Sequence, residues 1–169
     1  MIANWAEDIH TISYLDKYKK ETTLIDVKNK KAFQLDGLFD ATIDLYDTAL
    51  RADWMTTTIE NKPKDVDFDS FDLQLKVPSV WNTQKKELLY YESSVIYRKK
   101  FTLSIDNNLD YYLHFEGSNY RTVVFLNSVC VGYHEGGFTP FSIDVSDTIL
   151  EDNELIISVN AERTNQAVP

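Results

Sequence analysis

From Tyr111 to Phe141 the chain reads YYLHFEGSNYRTVVFLNSVCVGYHEGGFTPF, and this stretch restricts the fold more than any other. Leu113 and Phe115 fall on one face while Tyr112 and His114 fall on the other, the two-residue period of a strand. A second run follows, in which Thr122, Val124 and Leu126 oppose Arg121, Val123 and Phe125. Asn127-Ser128 separates it from Val129-Cys130-Val131, so the two runs read as a tight hairpin. His134-Glu135 precedes Gly136-Gly137, which interrupts the pattern before Phe138 and reads as a turn in which the glycines supply backbone freedom.

The rest of the chain keeps this rhythm. After the Asp36-Gly37 turn signal, Phe39, Ala41, Ile43 and Leu45 alternate with Asp40, Thr42 and Asp44. Thr48 to Met55 is expected to form one or two helical turns anchored by Trp54. Phe71, Leu73 and Leu75 alternate into Val77-Pro78, where proline ends the pairing. A long loop runs from Trp81 to Tyr91, and Val95 to Leu103 is the next strand. Asp106-Asn107-Asn108 turns the chain into a strand from Leu109, and Phe141–Val145 and Leu155–Val159 complete the series. Seven to nine short strands with almost no helix predict an all-β, antiparallel sandwich or jelly roll. A length of 169 residues suits one domain. Residues 1–32 read as an N-terminal extension or arm, where Trp5, Ile9, Ile12 and Leu15 sit near helical spacing; the domain proper is 33–169.

Composition narrows the chemistry. A net charge of −10, with no Lys/Arg cluster outweighing the acids around it, argues against a nucleic-acid partner. The single cysteine, Cys130, cannot form an internal disulfide and reads as a buried structural thiol. No apolar run approaches the roughly 20 residues that a membrane helix needs. MIANWAEDIH lacks the basic and apolar regions of a signal peptide, so a cytoplasmic location is expected unless a signal has been removed. Asp65, Asp67 and Asp69 open like an EF-hand loop, but Ser70 and Lys76 occupy its glycine and glutamate positions, so that reading fails. His10, His114 and His134 have no ligand partners at metal spacing, and neither a metal nor a cofactor is expected. No carboxylate pair is singled out for glycosidase work and no catalytic residue is assigned. Trp81, Tyr90, Tyr91, Tyr120, Tyr133 and Phe138 cluster near turns, where rings can pack in a core or stack on sugar faces.

Read together, VPSVWNTQ (77–84), YYESSVIYRKKF (90–101), EGSNYRTVVFLNSVCVGYHEGGFTPFSIDVSD (116–147) and NELIISVNAERTNQAVP (153–169) resemble, in order and spacing, the N-terminal sugar-binding domain of glycoside hydrolase family 2. That family includes the β-glucuronidases and β-galactosidases. The resemblance covers about residues 33–169 and implies a galactose-binding-domain-like jelly roll. It implies a non-catalytic domain of a retaining β-glycosidase, whose acid/base and nucleophile glutamates lie on a separate (β/α)₈ barrel beyond an immunoglobulin-like domain. By that resemblance the expected partners are those domains and a carbohydrate substrate reached through the parent enzyme; a homo-oligomer is left open. The 169-residue chain alone is expected to be inactive. It is also expected to lack the domain's last strand, leaving a sheet edge unpaired. Tyr91 and Glu92, with Arg163 and Asn165, match segments that lend residues to the substrate rim. The family commonly carries Asn-Gly where this chain has Asn127-Ser128, so a different turn type is expected. The alternative readings are a free-standing carbohydrate-binding module and a structural docking domain without enzyme activity.

Overall fold

Alternating apolar side chains commit eight segments to strands, and antiparallel pairing gathers them into two sheets. The computed structural model describes residues 14–20, 31–55 and 71–162. Its strands are β1 (Gly37–Asp44), β2 (Leu73–Val77), β3 (Ser94–Thr102), β4 (Tyr112–Phe115), β5 (Arg121–Leu126), β6 (Val129–Glu135), β7 (Phe141–Asp144) and β8 (Asp152–Asn160). One short helix, α1 (Thr48–Arg51), follows β1. Six strands form a sheet in the order β2-β1-β3-β8-β5-β6, and β4 pairs with β7 in a second sheet. The fold is thus a nearly all-β sandwich of the kind expected.

The inner face of the large sheet carries Phe39, Ala41, Leu75, Val95, Tyr97, Val124, Leu126, Leu155 and Ile157. These pack against Leu113, Phe141 and Ile143 of the small sheet. Gly132 permits the close approach of the two layers: a Cβ there would lie 2.3 Å from Ile143 Cδ1, well inside contact distance. Trp81 seals one side, with its indole N–H donating to the Tyr91 carbonyl at 3.0 Å.

The outer face is buried too. Ile96, Val123 and Phe125 lie under a second apolar layer made of Ala49, Leu50, Trp54, Met55, Leu15 and Tyr18. Alternation along β5 therefore sorts side chains between two cores rather than between core and water, and every residue from Thr122 to Leu126 is buried. Leu15 and Tyr18 are each only 3% exposed, so residues 14–20 are packed onto the sheet, with a helical turn at 14–16.

Several local expectations change. Leu45 is expected on the buried face of its strand, but β1 ends at Asp44 and Leu45 is 58% exposed. The loop from Trp81 to Tyr91 contains two 3₁₀ turns, Trp81–Thr83 and Lys86–Leu88, pinned by Asn82 Nδ2 donating to the Leu88 carbonyl at 2.7 Å. His134 and Glu135 end β6, and Gly136, at φ 137°, supplies the left-handed residue of the turn after them. Cys130 is half-buried rather than buried, on a strand at the sheet edge. The hairpin turn keeps its type against expectation: Asn127 (φ 51°) and Ser128 (φ 66°) both take positive φ, the type I′ pattern of Asn-Gly. Asn127 enforces this geometry. Its amide donates to the Thr148 carbonyl and Asn153 Oδ1, and its Oδ1 accepts from the Glu154 N–H at 3.0 Å.

The acidic loop at Asp65, Asp67 and Asp69 lies outside the described residues, as do Trp5, Ile9, Ile12 and the segment in which a last strand would be sought. Among the described residues, no helix is long and apolar enough to cross a membrane.

Candidate functional site

The strand registers align one polar residue from each of five strands at one end of the large sheet. Asp44 pairs with Ser94, Ser94 with Asn160, Asn160 with Arg121, and Arg121 with Glu135. Sheet interiors disfavour such groups unless they are satisfied; here Ser94, Arg121 and Asn160 all donate to one carboxylate, that of Asp47, and Asp44 takes backbone donors. Asp44 caps α1: its two oxygens accept the N–H groups of Thr48 at 2.8 Å and Ala49 at 2.9 Å.

Asp47 is the hub. It sits just before α1 in the left-handed region, a conformation that aspartate tolerates better than most residues. Its carboxylate accepts from the Ser94 hydroxyl, the Arg121 guanidinium, the Tyr14 hydroxyl at 2.6 Å and the Asn160 amide at 3.2 Å. Burial alone pushes this carboxyl upward. The Arg121 charge and the donors from Ser94, Tyr14 and Asn160 outweigh that and hold it below the usual aspartate range.

Around this hub the loops form one connected rim. Ser93 Oγ donates to the Leu45 carbonyl, and the Ala161 N–H donates to the Ser93 carbonyl. The Tyr120 N–H donates to the Asn160 carbonyl, and the Gly136 N–H donates to the Tyr120 carbonyl. Gly137 lies against Asn119 so closely that a Cβ would stand 3.0 Å from Asn119 Oδ1. Tyr46, Tyr90 and Phe138 project from these loops, with Tyr90 90% and Phe138 95% exposed. His134 stacks on Phe141 with ring centres 4.0 Å apart, and Phe141 stacks on Phe115 at 4.6 Å. Burial lowers the His134 value, partly opposed by the charge of Glu135.

The anticipated rim residues divide. Tyr91 is half-buried and spends its hydroxyl on the Ser94 carbonyl at 2.7 Å; burial pushes that phenol up to about 12. Glu92 follows it on the same loop and is exposed. Arg163 and Asn165 lie outside the described residues. Sequence reading missed Asp47, Ser94, Arg121 and Asn160 as a unit. Asp47 and Asn160 are 113 positions apart, and only strand register brings the group together. The one available signal was Arg121 at the head of a mostly apolar strand.

Asp53 and Asp144 are also held below the ordinary range. For Asp53, burial acts upward and is outweighed by Lys17 and Tyr18; for Asp144, the Ser146 N–H and hydroxyl dominate. At the opposite end of the sheet a shallow cleft of about 430 Å³ lies between the end of β3 and the start of β8. Lys100 pairs with Glu154 there at 3.5 Å, and Thr102 donates to Asp152 at 2.7 Å. Among the described residues, no group of three or more His, Cys, Asp or Glu side chains could hold a metal ion.

Comparison with known proteins adds an independent line. The sequence model of the family described as glycosyl hydrolase 2 galactose-binding domain-like matches residues 44–168. A protein of Formosa agariphila named putative beta-glucuronidase is 30% identical over 128 residues, covering 71% of this chain and 15% of its own length. A beta-galactosidase of Thermoanaerobacter pseudethanolicus is 38% identical over 60 residues, 34% of this chain and 8% of its own. Among solved structures, a beta-glucuronidase from an uncultured Clostridium superposes with a TM-score of 0.65 at 26% identity, over 83% of this chain and 24% of that one. The chain therefore spans about a sixth or less of these curated relatives and about a quarter of that structure.

Proposed function

This chain belongs to the glycosyl hydrolase 2 galactose-binding domain-like family, and from that premise we propose that it is the non-catalytic sugar-binding-type domain of a retaining β-glycosidase acting on β-glucuronides. The observation that carries the reading is the family match itself, whose residues 44–168 include α1, β2 to β8 and most of the polar hub, Asp44, Asp47, Ser94, Arg121 and Asn160. The longer relative, matching 71% of the chain, bears a glucuronidase name, whereas the galactosidase match covers 34%; this favours glucuronides over galactosides.

The electrostatics support a non-catalytic role. Retaining hydrolysis needs two carboxyl groups about 5–5.5 Å apart, one acting as nucleophile and one as general acid with a raised pKa. The buried acids here are committed elsewhere: Asp44 caps α1, and Asp47 accepts four hydrogen bonds. Asp47, Asp53 and Asp144 are moved down, the wrong direction for a proton donor at neutral pH. In this reading the carboxylates that cleave the glycoside belong to a barrel domain elsewhere in the polypeptide. The connected rim, with Tyr90, Glu92 and Phe138 outward, is the surface offered to that barrel and its substrate.

The test is turnover of 4-nitrophenyl β-glucuronide and β-galactoside by the full polypeptide and by residues 1–169 alone. Hydrolysis of the glucuronide by the full polypeptide only is the expected result. Turnover by residues 1–169, or none by any polypeptide that contains them, contradicts the proposal. A second reading, a free-standing carbohydrate-binding module, is favoured by the solvent-facing rings of Tyr90 and Phe138. It requires calorimetric heat on titrating sugars into the isolated chain, lost in Phe138→Ala.

A further inference from the structure

We propose that residues 14–20 form a strap whose docking is coupled to the loop rim through the shared carboxylate of Asp47. Two clamps hold the strap. At the near clamp, the Tyr14 hydroxyl donates to Asp47 Oδ2 at 2.6 Å, and the Arg51 guanidinium lies 5.1 Å from the Tyr14 ring centre. At the far clamp, the Tyr18 hydroxyl lies 2.6 Å from Asp53 Oδ1 and 2.7 Å from the Leu50 carbonyl, and Lys17 Nζ lies 2.6 Å from Asp53 Oδ2. Tyr14 and Tyr18 are one helical turn apart, so a single face of the strap reaches both aspartates. Asp47 and Asp53 flank α1, and both take positive φ, 52° and 53°, which turns them toward the strap at either end of the helix. Between the clamps, Leu15 and Tyr18 close the outer core over Phe125, with the Tyr18 ring edge-on to it at 5.5 Å.

The two clamps differ in what else they touch. Asp53 holds the strap to the α1 segment. Asp47 also receives Ser94 from the start of β3, Arg121 from the start of β5 and Asn160 from the end of β8. Those three residues set the loops at 91–93, 119–120 and 161 through Tyr91 on the Ser94 carbonyl and the Tyr120 N–H on the Asn160 carbonyl. When Tyr14 leaves, the buried carboxylate loses a donor that nothing else in the hub replaces, and its remaining partners must readjust. The strap is thereby a conformational input to the rim from the outer face of the sheet. The inference stands whether or not the glycosidase reading does.

Hydrogen exchange on the full polypeptide, resolved by peptide, tests the coupling, because exchange reports local opening free energies. Tyr14→Phe is expected to speed exchange about tenfold in peptides from the strap and also in those spanning 91–94, 119–122 and 158–162. Tyr18→Phe is expected to speed the strap alone. If Tyr14→Phe loosens the strap while the rim peptides stay within about twofold of wild type, the coupling does not exist. Equal loosening of the rim by both variants would overturn it as well. Arg51→Ala and Lys17→Ala are milder versions of the near and far lesions and must reproduce the contrast should either tyrosine variant unfold globally.

Discussion

Ser128 shows how a single residue can be overruled by its neighbour. A left-handed serine costs about 1–2 kcal/mol relative to glycine, yet the turn persists because Asn127 is tied to Thr148, Asn153 and Glu154. Ser128→Gly is therefore expected to stabilise the fold by about 0.5–1 kcal/mol, after allowing for the freer glycine chain when unfolded, as read by chemical denaturation. Gly132→Ala has the opposite sign. Its methyl would press on Ile143, and a loss of about 1–3 kcal/mol is expected in the same assay. Two titrating groups give acid sensitivity in separate windows. His134 has a folded value below 6.5, so the unfolded chain takes up its proton first; its stabilising contribution is complete above about pH 6.5 and is lost as pH falls through the folded value. Asp47 is likewise lowered, and its contribution is present above about pH 4 and lost below it. Melting temperature should thus fall between pH 7 and about 5 in the wild type and fall less in His134→Phe, whereas Asp47→Asn should lose about 3–5 kcal/mol at neutral pH by leaving Arg121 without its counter-charge.

At the scale of elements, the strands were legible because the two-residue period survives wherever a face is buried. β2 ends before Pro78 and α1 falls within the anticipated 48–55 window, as the proline and the Trp54 anchor implied. The second core was not legible. Val123 and Phe125 share a strand with Val124 and Leu126, and sequence cannot tell a strand buried on both faces from one with a chance run of apolar residues. Nor was the hub, because Asp44, Ser94, Arg121 and Asn160 meet only once the strand registers are known. Edge protection was also hidden. The Gln84 amide reaches back to β2, accepting from the Lys76 N–H at 2.6 Å and donating to its carbonyl at 3.1 Å, so one side chain occupies a site where another strand could add. Gln84→Ala is expected to leave the melting temperature within a few degrees but to raise concentration-dependent association, which sedimentation or light scattering would detect. An unchanged association profile would show that the edge is protected by something else.

At the scale of the whole molecule, two apolar layers sandwich the large sheet, and its polar end gathers the loops that the family resemblance linked to a substrate. The buried acids of that end, Asp44 and Asp47, are held in hydrogen bonds that fix α1 and the loops, and in the proposed reading glycoside cleavage falls to carboxylates outside residues 1–169. A 2-deoxy-2-fluoro-β-glucuronyl fluoride tests this most directly, because it glycosylates a retaining enzyme's nucleophile and the adduct then hydrolyses slowly enough to be mapped. Incubated with the full polypeptide and followed by proteolysis and mass spectrometry, the label is expected on a glutamate or aspartate beyond residue 169. A label on any carboxylate within residues 1–169 would contradict the non-catalytic assignment.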